Sequence, residues 1–148
     1  MTIVENERDG YVISTDKDKL DIGMIHIFLS ETSYWAQRRA LDVVSRSIEN
    51  SLCFGVYKDG RQVGLARVVT DCATFAWLCD VFILDAHRGR GLGKWLVESV
   101  IAHPDLQGVL FFLGTRDAHD LYRRYGGFRS VEGSERWMFR PREREDSA

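Results

Sequence analysis

The chain has 148 residues, 45% of them hydrophobic and 28% charged, with a formal net charge of −2. That length fits one domain with a real core, and the composition excludes a disordered or fibrous chain. The slightly acidic balance argues against a nucleic-acid partner held through phosphates. No apolar run approaches the roughly 20 residues of a membrane span, so no membrane partner is expected. The opening residues, Met1 to Asp9, are charged and lack the apolar stretch of a signal peptide. Cys53, Cys72 and Cys79 are odd in number and have no CxxC spacing. They read as free thiols in a reducing compartment, and a cytoplasmic location is expected.

Residues 1–10 are polar and read as a loose end, as do residues 141–148 at the other terminus. Leu20, Ile22, Ile25, Phe28 and Leu29 form a rough helical stripe, and Leu41, Val44 and Ile48 mark a second helix. Two strand-like runs follow, Leu52 to Tyr57 and Gln62 to Val69, joined through Lys58-Asp59-Gly60-Arg61 as a hairpin. Phe75 to Leu84 is long, apolar and rich in aromatic and β-branched residues, as a central strand is. After a glycine-rich loop, Leu92, Trp95, Leu96, Val100 and Ile101 mark a helix that stops at His103-Pro104. Val109 to Leu113 reads as a short buried parallel strand. A last helix carries Ala118, Leu121, Tyr122 and Tyr125, with Asp117 as candidate N-cap and Gly126-Gly127 as its end. Trp137-Met138-Phe139 reads as a final strand. Antiparallel strands first and a β-α-β crossover after them define a mixed-sheet α+β domain over residues 1–148.

The segment with the most chemistry is Asp80 to Trp95, in which Arg88-Gly89-Arg90-Gly91-Leu92-Gly93 joins a strand to a helix. Glycines let the backbone approach a ligand closely. The free N–H groups and dipole of the helix start make an anion site, to which Arg88, Arg90 and Lys94 add charge suited to a pyrophosphate. The Walker pattern fails, because Trp95 follows Lys94 and no glycine stands at the required spacing. The dinucleotide pattern GxGxxG fails as well, since the loop reads GxGxG. A nucleotide-phosphate site would also need a hydroxyl and acidic partners that the segment lacks.

The remaining pattern, R-x-x-G-x-G between strand and helix, resembles the acyl-CoA pyrophosphate loop of the GNAT (Gcn5-related N-acetyltransferase) superfamily. The likeness extends to the preceding strand, Trp77 to Ile83, and to a late helix, Ala118 to Phe128, similar to the family's A-x-x-L-Y-x-x-x-G-F. It spans about Leu20 to Phe139. Three departures stand out: Gly126-Gly127 is one residue longer than the usual ending, Thr115-Arg116-Asp117 replaces a common Asn, and Asp85-Ala86 replaces a common Pro.

The resemblance implies helix/sheet/helix layers around a mixed, centrally splayed β-sheet. It implies acetyl-CoA as co-substrate and a small-molecule or protein amine as acceptor. Cofactor contacts would come from Val81, Phe82, Ile83, Arg88, Gly89, Arg90, Gly91, Leu92, Gly93, Lys94 and Asp117, with a backbone N–H of Val81 to Ile83 meeting the oxyanion. Tyr122 matches the family's proton donor to the leaving thiolate, an uphill transfer of only about 2 kcal/mol at ordinary pKa values. The other reading of Tyr122 is a packed helix residue.

Asp80, an acid inside an apolar run, is either the general base or an aspartate hydrogen-bonded within the strand. Asp71 and Glu31 are weaker candidates for the base. Tyr34 and Trp35, between the first two helices, either line the acceptor pocket or staple the helices, and Trp77 and Phe75 are further pocket candidates. His26, His87, His103 and His119 lack metal-ligand spacing, so no metal is expected. A catalytically silent acyl-CoA-binding regulatory module is the alternative function, and exposed strand edges point to a possible homodimer.

Overall fold

The computed structural model describes residues 1–142. One six-stranded sheet runs through the molecule in sequence order: β1 (Glu5–Arg8), β2 (Tyr11–Ser14), β3 (Leu52–Lys58), β4 (Arg61–Thr70), β5 (Phe75–Ile83) and β6 (Leu110–Phe112). Every neighbouring pair is antiparallel except β5–β6. Helices α1 (Ile22–Ile27) and α2 (Leu41–Glu49) pack on one face, and α3 (Leu92–Ala102) and α4 (His119–Gly126) on the other. On the α1/α2 side Ile25, Leu29, Val44 and Ile48 meet Cys53, Leu65 and Phe82. On the α3/α4 side Leu96 and Val100 meet Phe54, Val56, Val68 and Leu78. Side chains alternate between the two faces along each strand and both faces are covered, which is why β3 and β4 are buried almost throughout.

Local chemistry accounts for most boundaries. Asp21 caps α1 by accepting from the Met24 N–H at 3.0 Å. α1 then widens into a π-type turn over Phe28–Thr32. The β3–β4 hairpin closes on Asp59-Gly60, both at positive φ, the geometry of a two-residue turn that matches strand twist. Asp71 accepts from the Thr74 hydroxyl and from the N–H groups of Thr74, Ala73 and Phe75, which shapes the β4–β5 turn and holds its carboxyl well below the usual range. That task accounts for Asp71 without catalysis.

Three expectations need correction. Residues 1–10 are not a loose end: Glu5–Arg8 pairs with β2 through a second two-residue turn, Asp9-Gly10. β1 is an exposed charged edge strand, so it has no apolar alternation to betray it. Asp117 does not cap α4; Ala118 holds that position, and the Ala118 N–H bonds to Thr115 Oγ1 at 3.1 Å. Trp137-Met138-Phe139 forms no strand: Trp137 packs on Phe112 with ring centroids 4.5 Å apart, while Met138 and Phe139 point to solvent. The expected loose C-terminus falls mostly on residues 143–148, outside the described residues. No helix among the described residues is long and apolar enough to cross a membrane.

Candidate active site

Two irregularities of β5 create the site. The first is its pairing with β6, which covers only Phe75–Leu110, Ala76–Phe111 and Trp77–Phe112. Beyond Trp77, β5 continues to Ile83 while β6 ends at Phe112, so the sheet splays between them. The second is a bulge. Leu65 faces Phe82 and Arg67 faces Cys79, so Ala66 alone opposes the two residues Asp80 and Val81. Asp80 takes φ +52°, a left-handed conformation that turns the strand at this point.

A cleft of about 690 Å³ fills the splay. One wall is the strand segment Val81, Phe82 and Ile83, and another is α4, with Leu121 and Tyr122. Phe28, Ser33, Tyr34 and Trp35 close a third side, and Phe28 stacks on Phe82 at 3.9 Å. The floor is the loop Arg88–Lys94. Gly89 and Gly91 have φ +78° and +76°, so the turn into α3 demands glycine there. No atom lies within 4 Å of a Cβ built at Gly89, Gly91 or Gly93, which leaves the loop backbone open to a ligand. Arg88 donates from Nε to the Ile83 carbonyl at 3.1 Å and pairs with Asp85, anchoring the loop to the end of β5. Lys94 lies over Tyr125 at 5.3 Å.

Tyr122 sits in the buried face of α4 with 8% exposure, edge-on to Phe128. Burial, reinforced by Tyr34 and Asp117 nearby, pushes its hydroxyl up to about 12. It is therefore a neutral O–H across the working pH range.

Asp80 belongs to a different arrangement. It is 4% exposed, and Oδ2 accepts from Arg67 Nε at 2.8 Å and Arg39 at 2.9 Å, while Oδ1 accepts from Trp35 Nε1 at 2.8 Å. Burial alone would raise its pKa, but the two guanidinium groups, Arg67 and Arg39, override that and hold the carboxyl below its ordinary value. Arg67 continues to Ser51 Oγ at 3.0 Å. The acid thus ties the irregular segment that carries Trp35 and Arg39 onto the sheet.

The cleft collects Val81, Phe82, Ile83, Arg88, Gly89, Gly91, Leu92, Gly93, Lys94, Asp117, Tyr34, Trp35 and Tyr122. Three expected site residues lie outside the lining of this cleft. Arg90 projects outside the cleft lining, Asp80 is buried behind Trp35, and Trp77 stands half-exposed on the α1/α2 face of the sheet. Sequence reasoning missed Arg39, Arg67 and His87, the last bonded through Nδ1 to Tyr11 Oη at 2.8 Å and lining the cleft. Arg67 had a signal, since it is a charge within an apolar strand, as Asp80 is. Arg39, in an exposed polar segment, had none. Among the described residues no group of His, Cys, Asp and Glu is gathered for a metal ion.

A strand that splays at a bulge, beside a glycine turn into a helix, is the architecture of an acyl-CoA N-acyltransferase. Residues 49–128 match the family model "Acetyltransferase (GNAT) domain". A crystal structure of a Xanthomonas campestris pv. campestris protein of the GNAT family superposes with a TM-score of 0.87 at 51% identity, over 91% of this chain and 95% of that one. FG08082 of Gibberella zeae, whose name assigns it to the acetyltransferases without establishing the activity, is 30% identical over 84% of this chain and 87% of its own. An Elizabethkingia anophelis GNAT family acetyltransferase crystallised with acetyl-CoA shares the fold at 13% identity, with a TM-score of 0.59 over 80% of this chain and 76% of that one. The chain belongs to the GNAT acetyltransferase family.

Proposed function

We propose that the protein transfers the acetyl group of acetyl-CoA to a primary amine by direct attack within a ternary complex. The observation that carries this reading is the unpaired side of β5 from Val81 to Ile83, facing Tyr122 across one cleft that ends on the Arg88–Lys94 loop. The residues fit the cofactor. The open glycine backbone, the start of α3, Arg88 and Lys94 suit a pyrophosphate, and Phe28, Phe82 and Leu121 suit the hydrocarbon parts of the cofactor's extended arm. Bound there, acetyl-CoA supplies the activated thioester.

The amine lone pair forms the C–N bond, the C–S bond breaks, and the extra amine proton leaves to solvent. Backbone N–H at the bulge meets the charge that builds on the acetyl oxygen, a contribution of about 3–4 kcal/mol per donor in comparable sites. Tyr122 donates to the departing sulfur. With its hydroxyl near 12, complete proton transfer to a thiolate of ordinary pKa is uphill by roughly 5 kcal/mol. The Tyr122 O–H therefore acts as a hydrogen-bond donor that hands over its proton only as the C–S bond breaks, and solvent, which took the amine's proton, restores it.

Asp80 is not the base in this reading. Both of its oxygens are engaged and its basicity is depressed, so it is a positioning residue. The acceptor then reacts as the free amine taken from solution.

Tyr122→Phe tests the assignment. Expected are an unchanged thermal shift with acetyl-CoA and a fall in kcat of about a hundredfold or more, the order of one general-acid contribution. Unchanged turnover removes Tyr122 from the mechanism. Acetyl-CoA binding by the wild type without turnover on any amine would instead indicate a silent cofactor-binding module.

A further inference from the structure

The α1/α2 face of the sheet is covered over β3 and the upper part of β4, but not at the end near β6. In that uncovered corner Val69, Phe75, Trp77 and Leu110 are between 36% and 55% exposed. They share a face, since Val69 pairs with Trp77, Phe75 with Leu110 and Trp77 with Phe112. Phe75, Phe112 and Trp137 form a continuous aromatic wall, with centroid distances of 5.6 and 4.5 Å. Trp77 stands on the same strand as the cleft-lining segment Val81–Ile83, three residues before Asp80, and Trp35 links Asp80 to the cleft wall.

The charges around it lean positive, although Asp117, next to Arg116 in sequence, lines the cleft as a carboxylate. Asp80, the buried acid, is shared by two arginines, so the cluster carries a net positive charge. Arg116 adds another: its Cζ lies 3.8 Å from the Tyr34 ring centroid, and no carboxylate of the described residues pairs with it. Its own N–H donates to Tyr34 Oη at 3.2 Å, which joins Arg116 to the Tyr34-Trp35 wall. A polycation or a lysine side chain in a basic peptide meets repulsion here. A substrate with one amine, one carboxylate and an aromatic ring meets complementary groups.

From this we infer that the acceptor is a free α-amino acid with an aromatic side chain. Its ring lies on Trp77 and Phe112, its carboxylate pairs with Arg116, and its α-amine is acetylated. The inference rests on the acetyl-transfer reading and narrows it. An α-amine also suits a site without a free base, because its pKa lies below that of a lysine side chain and more of it is neutral at pH 7.

The test is a substrate-by-variant grid read as thiol release. Phenylalanine, 2-phenylethylamine and spermidine are compared on wild type, Arg116→Gln and Trp77→Ala. For the wild type, kcat/KM is highest for phenylalanine and lowest for spermidine. Arg116→Gln lowers kcat/KM for phenylalanine by about tenfold to a hundredfold, the worth of one charge-assisted hydrogen bond, and leaves 2-phenylethylamine unchanged. Trp77→Ala lowers both aromatic substrates by about tenfold and leaves the KM for acetyl-CoA unchanged.

Preference for spermidine, or equal loss of both aromatic substrates in Arg116→Gln, overturns the inference while leaving acetyl transfer intact. Absence of any acetyl-CoA thermal shift overturns acetyl transfer and the inference with it. Light scattering that finds a dimer for wild type and a monomer for Trp77→Ala assigns the aromatic corner to a second copy and overturns the substrate reading.

Discussion

The two ends of the cleft are built in opposite ways. The end proposed for the cofactor is one continuous segment, Ile83 to Lys94, in which a strand end, two positive-φ glycines and a helix start follow directly along the chain. The end proposed for the acceptor is walled by Trp35 and supported from behind by Arg39, Arg67 and Asp80, drawn from two strands and an irregular segment. A local device needs few supports and is written in consecutive residues. An assembled one depends on each member being held by the others, so it is the more fragile.

The largest expected effect follows from that fragility. Asp80→Asn keeps the shape of the side chain but leaves Arg67 and Arg39 buried beside no countercharge. Breaking a buried pair in this way costs about 3–5 kcal/mol, which lowers Tm by roughly 6–20 °C in a chain of this size.

The sign with pH is fixed by the direction of the shift. Asp80 titrates below its unfolded value, so its stabilisation is complete above about pH 4 and is lost as pH falls through the folded pKa. The Tm gap between wild type and Asp80→Asn should therefore stay constant from pH 5 to 8 and close in stronger acid, as differential scanning calorimetry would measure. Below its Tm the variant should keep the wild-type shape of the pH–rate profile. Loss of a limb from that profile would return Asp80 to the role of base.

The same contrast explains what could be read from the sequence. The glycine spacing of residues 88–93, the long apolar strand before it and the Tyr122 helix are local patterns, and each stands where the sequence places it. Asp80 was visible as an acid in an apolar run, but its partners were not, because Arg67 and Arg39 reach it across the sheet and from a loop. The bulge that bends β5 at Asp80 has no residue signature, since aspartate rather than glycine takes the positive φ. β1 was hidden for the opposite reason: a charged edge strand held by backbone pairing and by polar contacts, such as Glu5 with Ser14 and Lys19, carries no apolar alternation.

A smaller change isolates the cofactor end. Gly93 lies in the first turn of α3 at ordinary helical φ, and a Cβ there meets no protein atom within 4 Å. Gly93→Ala should leave the fold intact and raise stability by about 0.5–1 kcal/mol, because alanine is the better helix former. The added methyl group projects into the space assigned to the pyrophosphate, so acetyl-CoA affinity should fall by at least tenfold. Calorimetric Tm and isothermal titration on the same protein separate the two effects. Rising stability with unchanged affinity would move the phosphates away from the helix start.

The smallest effect distinguishes two arginines of one loop. Arg88 lines the cleft and is fixed at its base by the Ile83 carbonyl, whereas Arg90 lies outside the lining. Arg88→Ala removes a charge at the floor and should weaken acetyl-CoA binding by about tenfold, the lower range for a charge-assisted contact. Arg90→Ala should change it by less than about threefold, with a modest salt dependence, since a solvated charge at that range acts only through a screened field. Equal losses for both variants would mean that the loop closes on its ligand and brings Arg90 inward. The cofactor end would then be an assembled device like the acceptor end, completed by the ligand instead of by Asp80.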